Sequence, residues 1–197
     1  MKPVRISAAL AAALLSLAFA TSARAADLTL HTDPTQSTAE LTLNGNLHTV
    51  HGTFQGKRGD IRFDPASGRI GGEIVFDATS GRTDNSSRDQ KMHKEVIESG
   101  KYPEISFRPD RVDGKVSISG TSTVQVHGMF NIHGQDHEIT AAVTIKFEGG
   151  RWEASAKFPV PYANWGMKNP SVLFLRVADS VDIDLHAKGN VAPAGTP

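Results

Sequence analysis

Residues 124–133, VQVHGMFNIH, alternate apolar and polar side chains almost throughout. Val124, Val126, Phe130 and Ile132 hold one set of alternate positions, and mostly polar residues hold the other. Because successive side chains of a β-strand point to opposite faces of the sheet, this pattern predicts a strand with one buried and one solvated face. Such two-sided strands are typical of antiparallel sheets.

The same period of two recurs in six further segments between residues 61 and 185. Short turn-forming stretches separate many of them, including Pro65–Gly68 and Gly149-Gly150, and Asn44-Gly45 predicts a tight turn between two earlier strands that carry Leu41/Leu43 and Val50/Phe54. A series of such strands predicts an all-β fold, an antiparallel sheet that curls on itself. The apolar positions are Ile61/Phe63, Ile70/Ile74/Phe76, Ile105/Phe107, Ile139/Val143/Ile145/Phe147, Trp152/Phe158 and Val181/Ile183/Leu185.

Three local features qualify this pattern. Apolar residues recur at helical spacing from Met92 to Ile97, after a capping-box spacing of Ser87 and Gln90, which predicts one amphipathic helix over an end or side of the sheet. A turn at or near Asp113-Gly114 is predicted between strands at 103–109 and 112–119. The stretch 161–171 is predicted to be a loop whose apolar side chains pack on the body or form a lid.

The two ends of the chain differ from its middle. Residues 1–25 combine a basic start, an apolar run and the small-x-small pattern Ala23-Arg24-Ala25, which predicts a signal peptide cut before Ala26. A membrane anchor is the alternative, but the run is short for spanning a bilayer. Without cysteine, neither a disulfide nor a lipobox acyl anchor can form. We therefore expect a soluble protein of the bacterial periplasm, with one domain over 26–189 and a flexible tail over 190–197.

Charge and motifs exclude several classes of function. Residues 1–25 contain three of the 21 basic residues and no acid, so the mature chain has 18 basic against 21 acidic residues. This balance gives no support to nucleic-acid binding. The sequence contains no Gly-x-Ser-x-Gly elbow and no HExxH helix. No enzyme activity and no cofactor are predicted. A metal site remains a hypothesis, carried by His48, His51, His93, His127, His133 and His137.

Two kinds of barrel fit the pattern. An outer-membrane barrel turns its apolar face to lipid and has aromatic belts, whereas this chain has only two Trp and two Tyr. The other kind turns the apolar face inward, where side chains either fill the lumen or leave room for one ligand. Bulky phenylalanines share the inner face with Gly128, Ala141 and Ala156, which permits either outcome.

Several stretches, in order, make the sequence resemble the YceI-like family of secreted bacterial proteins. Together they cover most of residues 38–187. They are Val50–Phe54, Ile61–Asp64, Arg88–His93, Tyr102–Phe107, Val126–Gly134, Tyr162–Met167 and Val177–Ile183.

The resemblance implies a lipocalin-like antiparallel barrel of about eight strands with a helical insertion. It also implies binding of a polyisoprenoid or similar amphiphile in the lumen, a homodimer as a possible assembly, and no catalysis. The leading hypothesis is therefore a periplasmic carrier. The alternatives are a stress-related structural or interaction protein with a filled barrel, and a histidine-dependent metallohydrolase. The ligand-lining residues predicted for the carrier are Phe63, Ile74, Phe76, Ile105, Phe107, Phe130, Ile132, Val143 and Ile145, with Trp165, Leu173 and Leu175 near the mouth.

Overall fold

The structure, a computed structural model, describes residues 27–193, which form nine β-strands and one short helical segment. The signal peptide predicted for 1–25 lies outside the described residues. The strands are β1 Leu28–Thr32, β2 Thr38–Leu43, β3 Val50–Phe63, β4 Ile70–Arg82, β5 Glu104–Asp113, β6 Gly120–Ile132, β7 Gln135–Glu148, β8 Arg151–Val160 and β9 Val181–Pro193.

The strands close into an antiparallel barrel with eight strand positions. Strands β3 to β9 pair in sequence, and β1 and β2 both pair with β3 on one side and β9 on the other. β1 and β2 therefore share one position. This arrangement confirms the predicted all-β, lipocalin-like barrel of about eight strands.

The shared position is split by a short 3₁₀ turn, Pro34–Gln36. Proline has no backbone N–H and cannot donate to a sheet ladder, so the strand must stop there. Local side chains take over the bonding: the Asp33 carboxylate accepts from the Thr35 N–H at 3.0 Å, and the fully buried Ser37 hydroxyl donates to the Asp33 carbonyl at 2.8 Å.

The alternation in the sequence corresponds to the two faces of the barrel wall. On β6, Val124, Val126, Phe130 and Ile132 are buried inside, whereas Gln125 is exposed outside. The outer face carries ion pairs between neighbouring strands, such as the 2.6 Å contact between Lys157 on β8 and Asp184 on β9. An outer-membrane barrel requires the opposite arrangement, with its apolar face toward lipid.

A bulge bends the wall between β5 and β6. The register shifts between Pro109 and Arg111, beside Gly128 on β6. A Cβ at Gly128 would lie 2.3 Å from the Arg108 carbonyl oxygen, so only glycine permits this approach.

Two predicted boundaries are corrected. β5 continues to Asp113, and residues 114–119 form a loop, so the predicted strand at 112–119 was wrong. Gly114 and Gly120 have φ of 128° and 126°, which interrupts the extended run that the apolar residues suggested. At the other end, β9 extends through Pro193, so the first residues of the predicted tail belong to a strand.

The predicted helix lies between β4 and β5, at one open end of the barrel. It begins as an α-helix, α1, Ser86–Lys91, and continues as a π-helical turn, Met92–Val96. Its N-cap is Asn85, whose side-chain oxygen accepts from the Arg88 N–H at 2.9 Å, rather than the predicted Ser87. Within 27–193, no helix combines the length and hydrophobicity needed to cross a bilayer.

Candidate ligand-binding cavity

The barrel lumen is hollow. It contains a larger cavity of about 490 Å³ and a smaller one of about 130 Å³. Ligand pockets in proteins usually span about 300 to 1,000 Å³, so the larger cavity has the size of a binding site. A filled barrel, the premise of the structural-protein hypothesis, is therefore not what the described residues form.

The wall of the larger cavity is apolar over most of its surface. Strands β2, β3, β4, β8 and β9 supply aliphatic and aromatic side chains, and the π-helical turn supplies Met92 and Val96. Loop residues close the rest, including the buried Tyr162 and Met167. Such a wall offers dispersion contacts along the whole length of a hydrocarbon chain.

Polar side chains gather at one end of this cavity, which we call the mouth and define as residues 83–91 together with His48. The polar lining residues there include Thr83, Asn85, Arg88 and Lys91. No acidic residue lines the cavity among residues 27–193. An apolar chamber with a polar mouth suits a molecule with a hydrocarbon body and a polar head.

Two cations at the mouth are held by backbone carbonyls. The Arg88 guanidinium donates to the Thr83 hydroxyl at 2.8 Å and to the Thr83 carbonyl at 2.7 Å. The Lys91 ammonium donates to the Pro170 carbonyl at 2.8 Å. The second bond ties the helical segment to the loop that follows β8, so both sides of the mouth are joined.

The loop after β8 forms part of the cavity wall. The buried Tyr162 hydroxyl donates to the Ala178 carbonyl at 2.6 Å, which fixes the two arms of the loop against each other. Burial raises the pKa of Tyr162 to about 12, so the hydroxyl keeps its proton at any physiological pH. Of the two roles considered for 161–171, packing against the body is the one that Tyr162 and Met167 fulfil.

Five side chains separate the two cavities. Each of them lines both cavities, and Phe130 meets Phe158 edge to face with ring centroids 5.9 Å apart. We call this set the dividing layer. Its members are Phe76, Ile105, Phe130, Phe158 and Leu185.

The smaller cavity lies beyond the dividing layer, near Trp152 and Leu30. Apart from Ser106, its lining is entirely apolar. Trp152 closes this end: it is 2 % exposed, and its indole N–H donates to the His31 carbonyl at 3.2 Å. A chain entering through the mouth would therefore meet the dividing layer first and the closed end last.

Ten of the twelve predicted lining residues do line a cavity. Ile132 and Leu175 line the larger one, and the others line the smaller one or, within the dividing layer, both. The two that line neither cavity are Trp165 and Leu173. Trp165 stacks on His137 with centroids 3.9 Å apart, and Leu173 is 89 % exposed. The ten lining residues are Phe63, Ile74, Phe76, Ile105, Phe107, Phe130, Ile132, Val143, Ile145 and Leu175.

Sequence reasoning missed the polar mouth and much of β2. Ala39 and Leu41 line the larger cavity, but no residue of β2 was among the predicted lining residues. Arg88 and Lys91 were interpreted as the solvated face of an amphipathic helix. The helix instead lies across the opening, so its polar residues border the cavity, and only the fold could reveal that orientation.

The histidines do not form a metal centre in the described part of the chain. No three His, Asp or Glu side chains of residues 27–193 converge as metal ligands. Several histidines pair with carboxylates instead: His31 contacts Asp60 at 2.7 Å, and His133 contacts Glu98 at 2.5 Å. The metallohydrolase hypothesis thus has no geometric support in this region.

One histidine pairing leads to a prediction about pH. His127 lies between Asp110, at 2.6 Å, and Glu138, at 2.7 Å, and these hydrogen bonds raise the pKa of its imidazole in the folded protein. A raised folded-state pKa stabilises the fold below the unfolded-state pKa, and this contribution disappears as the pH rises through the folded-state pKa.

We therefore expect His127→Gln to be less stable than wild type, and we expect this difference in stability to be larger at pH 6 than at pH 8.5. Urea unfolding midpoints of both proteins at the two pH values measure the difference. His51→Gln is the control, since its imidazole is exposed and bonds only to the Thr42 hydroxyl. A stability gap for His127→Gln that grows with pH would contradict the assignment.

Fold and site together define the class: a small closed antiparallel barrel with a hollow apolar lumen, open at a polar mouth. The family model of the YceI-like domain matches residues 30–189. The chain therefore belongs to the YceI-like family. No curated protein matches the sequence.

Solved structures with the same fold share little sequence with this chain. BcnA of Burkholderia cenocepacia has a TM-score of 0.66 and 17% identity, covering 81% of this chain and 99% of its own. A polyisoprenoid-binding domain from Saccharophagus degradans, implicated in plant cell wall breakdown, has a TM-score of 0.64 and 15% identity, covering 82% of this chain and 98% of its own. The YCEI protein of Campylobacter jejuni has a TM-score of 0.54 and 17% identity, covering 67% of this chain and 79% of its own. At these identities the similarity supports the fold alone.

Proposed function

We propose that this protein is a periplasmic carrier that holds a polyisoprenoid or another long-chain amphiphile in its barrel lumen. One observation carries the proposal: an apolar cavity of about 490 Å³ that opens at a polar mouth. The signal peptide predicted for residues 1–25 supports export, and membership of the YceI-like family supports binding rather than catalysis.

The apolar lining is sufficient to hold such a ligand. Each buried methylene contributes about 0.8 kcal/mol, so one five-carbon isoprene unit contributes up to about 4 kcal/mol. The cost of immobilising the ligand offsets part of this gain. A few units nevertheless give tight binding without any charged contact. The Saccharophagus degradans domain, described as polyisoprenoid-binding, supports this chemical class for the ligand.

The ten cavity-lining residues named above are the proposed contacts of the hydrocarbon chain. Within this set, Phe130, Phe76 and Ile105 belong to the dividing layer and meet the chain where the two cavities adjoin. The polar end of the ligand would remain at the mouth, beside Thr83, Asn85 and the fixed cations of Arg88 and Lys91. Leu173 and Trp165 are not proposed as contacts.

Native mass spectrometry tests the proposal directly. The full-length chain, expressed in a bacterium and purified from its periplasm without detergent, should begin at Ala26 and carry an additional hydrophobic mass. Organic extraction should release that mass, and adding isoprenoid quinones or long-chain fatty amides to the stripped protein should restore a one-to-one complex. A bare polypeptide that also ignores the added lipids would overturn the proposal.

The dividing layer leads to a prediction about chain length. Phe158 lines both cavities, so Phe158→Ala should join them into one longer space. Ligands whose tails end at the dividing layer in wild type could then extend by further methylenes, each worth about 0.8 kcal/mol or about fourfold in affinity. We expect the preferred chain length to increase by several carbons, measured by titrating a homologous series of fatty amides.

Val181→Ala is the matched control for this variant. It also enlarges the larger cavity, but Val181 does not line the smaller one. This variant should therefore prefer the same ligand chain length as wild type. An unchanged preference in Phe158→Ala would mean that the dividing layer does not limit the ligand.

A further inference from the structure

The largest exposed hydrophobic side chains cluster beside the mouth. Leu173 and Phe174 are 89 % and 88 % exposed, Leu47 is 72 % exposed, and Val172 is 51 % exposed. We call these four residues the apolar tip. Ile118, at 54 %, is the remaining large hydrophobic exposed to this degree in residues 27–193, and it lies in the loop near the closed end of the barrel.

The apolar tip is held in place by its backbone. Val172 and Leu175 exchange two backbone hydrogen bonds, of 2.9 and 2.7 Å, around a tight turn that places Leu173 and Phe174 at its apex. The side chain of Asn46, next to Leu47, donates to the Phe174 carbonyl at 2.9 Å and accepts from the Arg176 N–H at 3.0 Å. Two loops are thus joined into one projecting surface.

The apolar tip is continuous with the cavity. Val172 and Leu175, which form the base of the turn, line the larger cavity, as do His48 and Val177 on either side. A surface that touches the tip therefore touches the rim through which a ligand enters.

The segments that border the tip contain five basic and five acidic residues, so they carry no net formal charge. In the segments 84–98 and 161–180, Arg88, Lys91, Lys94 and Arg176 form no ion pair with any described residue. The acidic side chains of these segments are mostly engaged: Glu95 pairs with Lys168, Glu98 with His133, Asp89 bonds to Thr83, and Asp179 bonds to Asn169. Asp84 is the exception. Exposed apolar side chains beside cations that have no ion-pair partner match the interfacial region of a phospholipid bilayer.

We propose that the apolar tip docks the protein on a phospholipid bilayer, with the mouth facing the membrane. Leu173 and Phe174 would enter the boundary between headgroups and acyl chains, and the unpaired cations would face lipid phosphates. The role of this docking in loading or releasing the cargo rests on the proposed carrier function; the docking itself does not.

A second copy of the chain is a weaker occupant for this surface. Three or four exposed side chains provide roughly 500 Å² of apolar surface, judged from the area a large side chain buries. A stable interface buries about 800 Å² per partner. A bilayer has no such requirement, because inserted side chains are surrounded by lipid on all sides.

Vesicle co-sedimentation tests the proposal with the stripped, full mature protein. Wild type should sediment with vesicles of phosphatidylcholine and phosphatidylglycerol. Leu173→Ser together with Phe174→Ser should lower the partition coefficient at least tenfold. Ile118→Ser, which removes an exposed hydrophobic residue at the other end of the barrel, should partition like wild type. Equal partitioning of wild type and the double variant would overturn the proposal.

Tryptophan fluorescence shows which part of the protein contacts the vesicle. Phe174→Trp should shift its emission to shorter wavelength when anionic vesicles are added, whereas Ile118→Trp should not; the reverse result, or no shift in either, would overturn the proposal. Sedimentation velocity without lipid tests whether a second copy of the chain occupies the tip. A dimer that the double variant abolishes would assign the tip to self-association instead.

The cargo experiment is kept separate from this test. Native mass spectrometry of the double variant with added fatty amide reports on the lumen, because Leu173 and Phe174 do not line it. Loss of vesicle binding with normal ligand uptake supports docking. If wild type instead binds vesicles but takes up no ligand, the proposed carrier function is refuted and the proposed docking surface still stands.

Discussion

Ala39→Phe is expected to lower the affinity for a long-chain ligand at least about 100-fold while the barrel stays folded. Ala39 is 8 % exposed and lines the larger cavity. A phenyl group there would occupy space that a ligand needs. Displacing about four methylenes costs about 3 kcal/mol of binding free energy, which corresponds to about two orders of magnitude in affinity.

The stability of Ala39→Phe should change in the opposite direction. Filling a cavity commonly stabilises a protein by about 0.5 to 2 kcal/mol. We therefore expect an unchanged or higher urea midpoint together with the loss of binding, whereas a damaged fold would lower both. Titration with a fatty amide and urea unfolding measure the two effects.

Ala142→Phe is the control for the lumen. It adds the same atoms to an exposed position on the outer face of β7. Its affinity should equal that of wild type. If Ala39→Phe bound the ligand as tightly as Ala142→Phe, the hydrocarbon chain would not lie in the larger cavity.

Trp152→Ala is expected to produce the largest loss of stability, about 3 to 5 kcal/mol. Trp152 is 2 % exposed and packs against Leu30, Ile61, Phe147 and Ala187 at the closed end. The substitution removes this packing and leaves a void next to the smaller cavity. It also removes the hydrogen bond that the indole N–H donates to β1.

Chemical denaturation measures the effect of Trp152→Ala, with Phe174→Ala as the matched aromatic control. Phe174 is 88 % exposed, so its truncation should change the free energy of unfolding by no more than about 0.5 kcal/mol. A loss below about 1 kcal/mol for Trp152→Ala would mean that the closed end does not hold the barrel together.

The strands and their inward faces could be predicted because their signal is local. Strict alternation identified the inner face of β6, and the same rule located nine of the lining residues. Where glycines with positive φ interrupted the pattern, at Gly114 and Gly120, the rule failed and produced a strand that does not exist. That β1 and β2 share one strand position could not be predicted, because their pairing with β3 and β9 is set only when the barrel closes.

The candidate site was less predictable than the fold. Residues in loops have no fixed period, and of the three predicted near the mouth only Leu175 lines a cavity, whereas Trp165 and Leu173 line neither. The helical segment was predicted over an end or a side of the sheet, and only the fold shows that it lies at the open end, beside the cavity. That position makes Arg88 and Lys91 part of the mouth, although the sequence marks them only as polar helix residues.

The sequence by itself determined which side of each long strand avoids water, because a pleated strand converts alternation into two faces without reference to any other part of the chain. Only the tertiary structure decided that the enclosed space is hollow, divided by phenylalanines and open at a cationic rim. The volume left inside a barrel depends on side chains that meet across the lumen from strands far apart in sequence, and that distance is set only when the barrel closes.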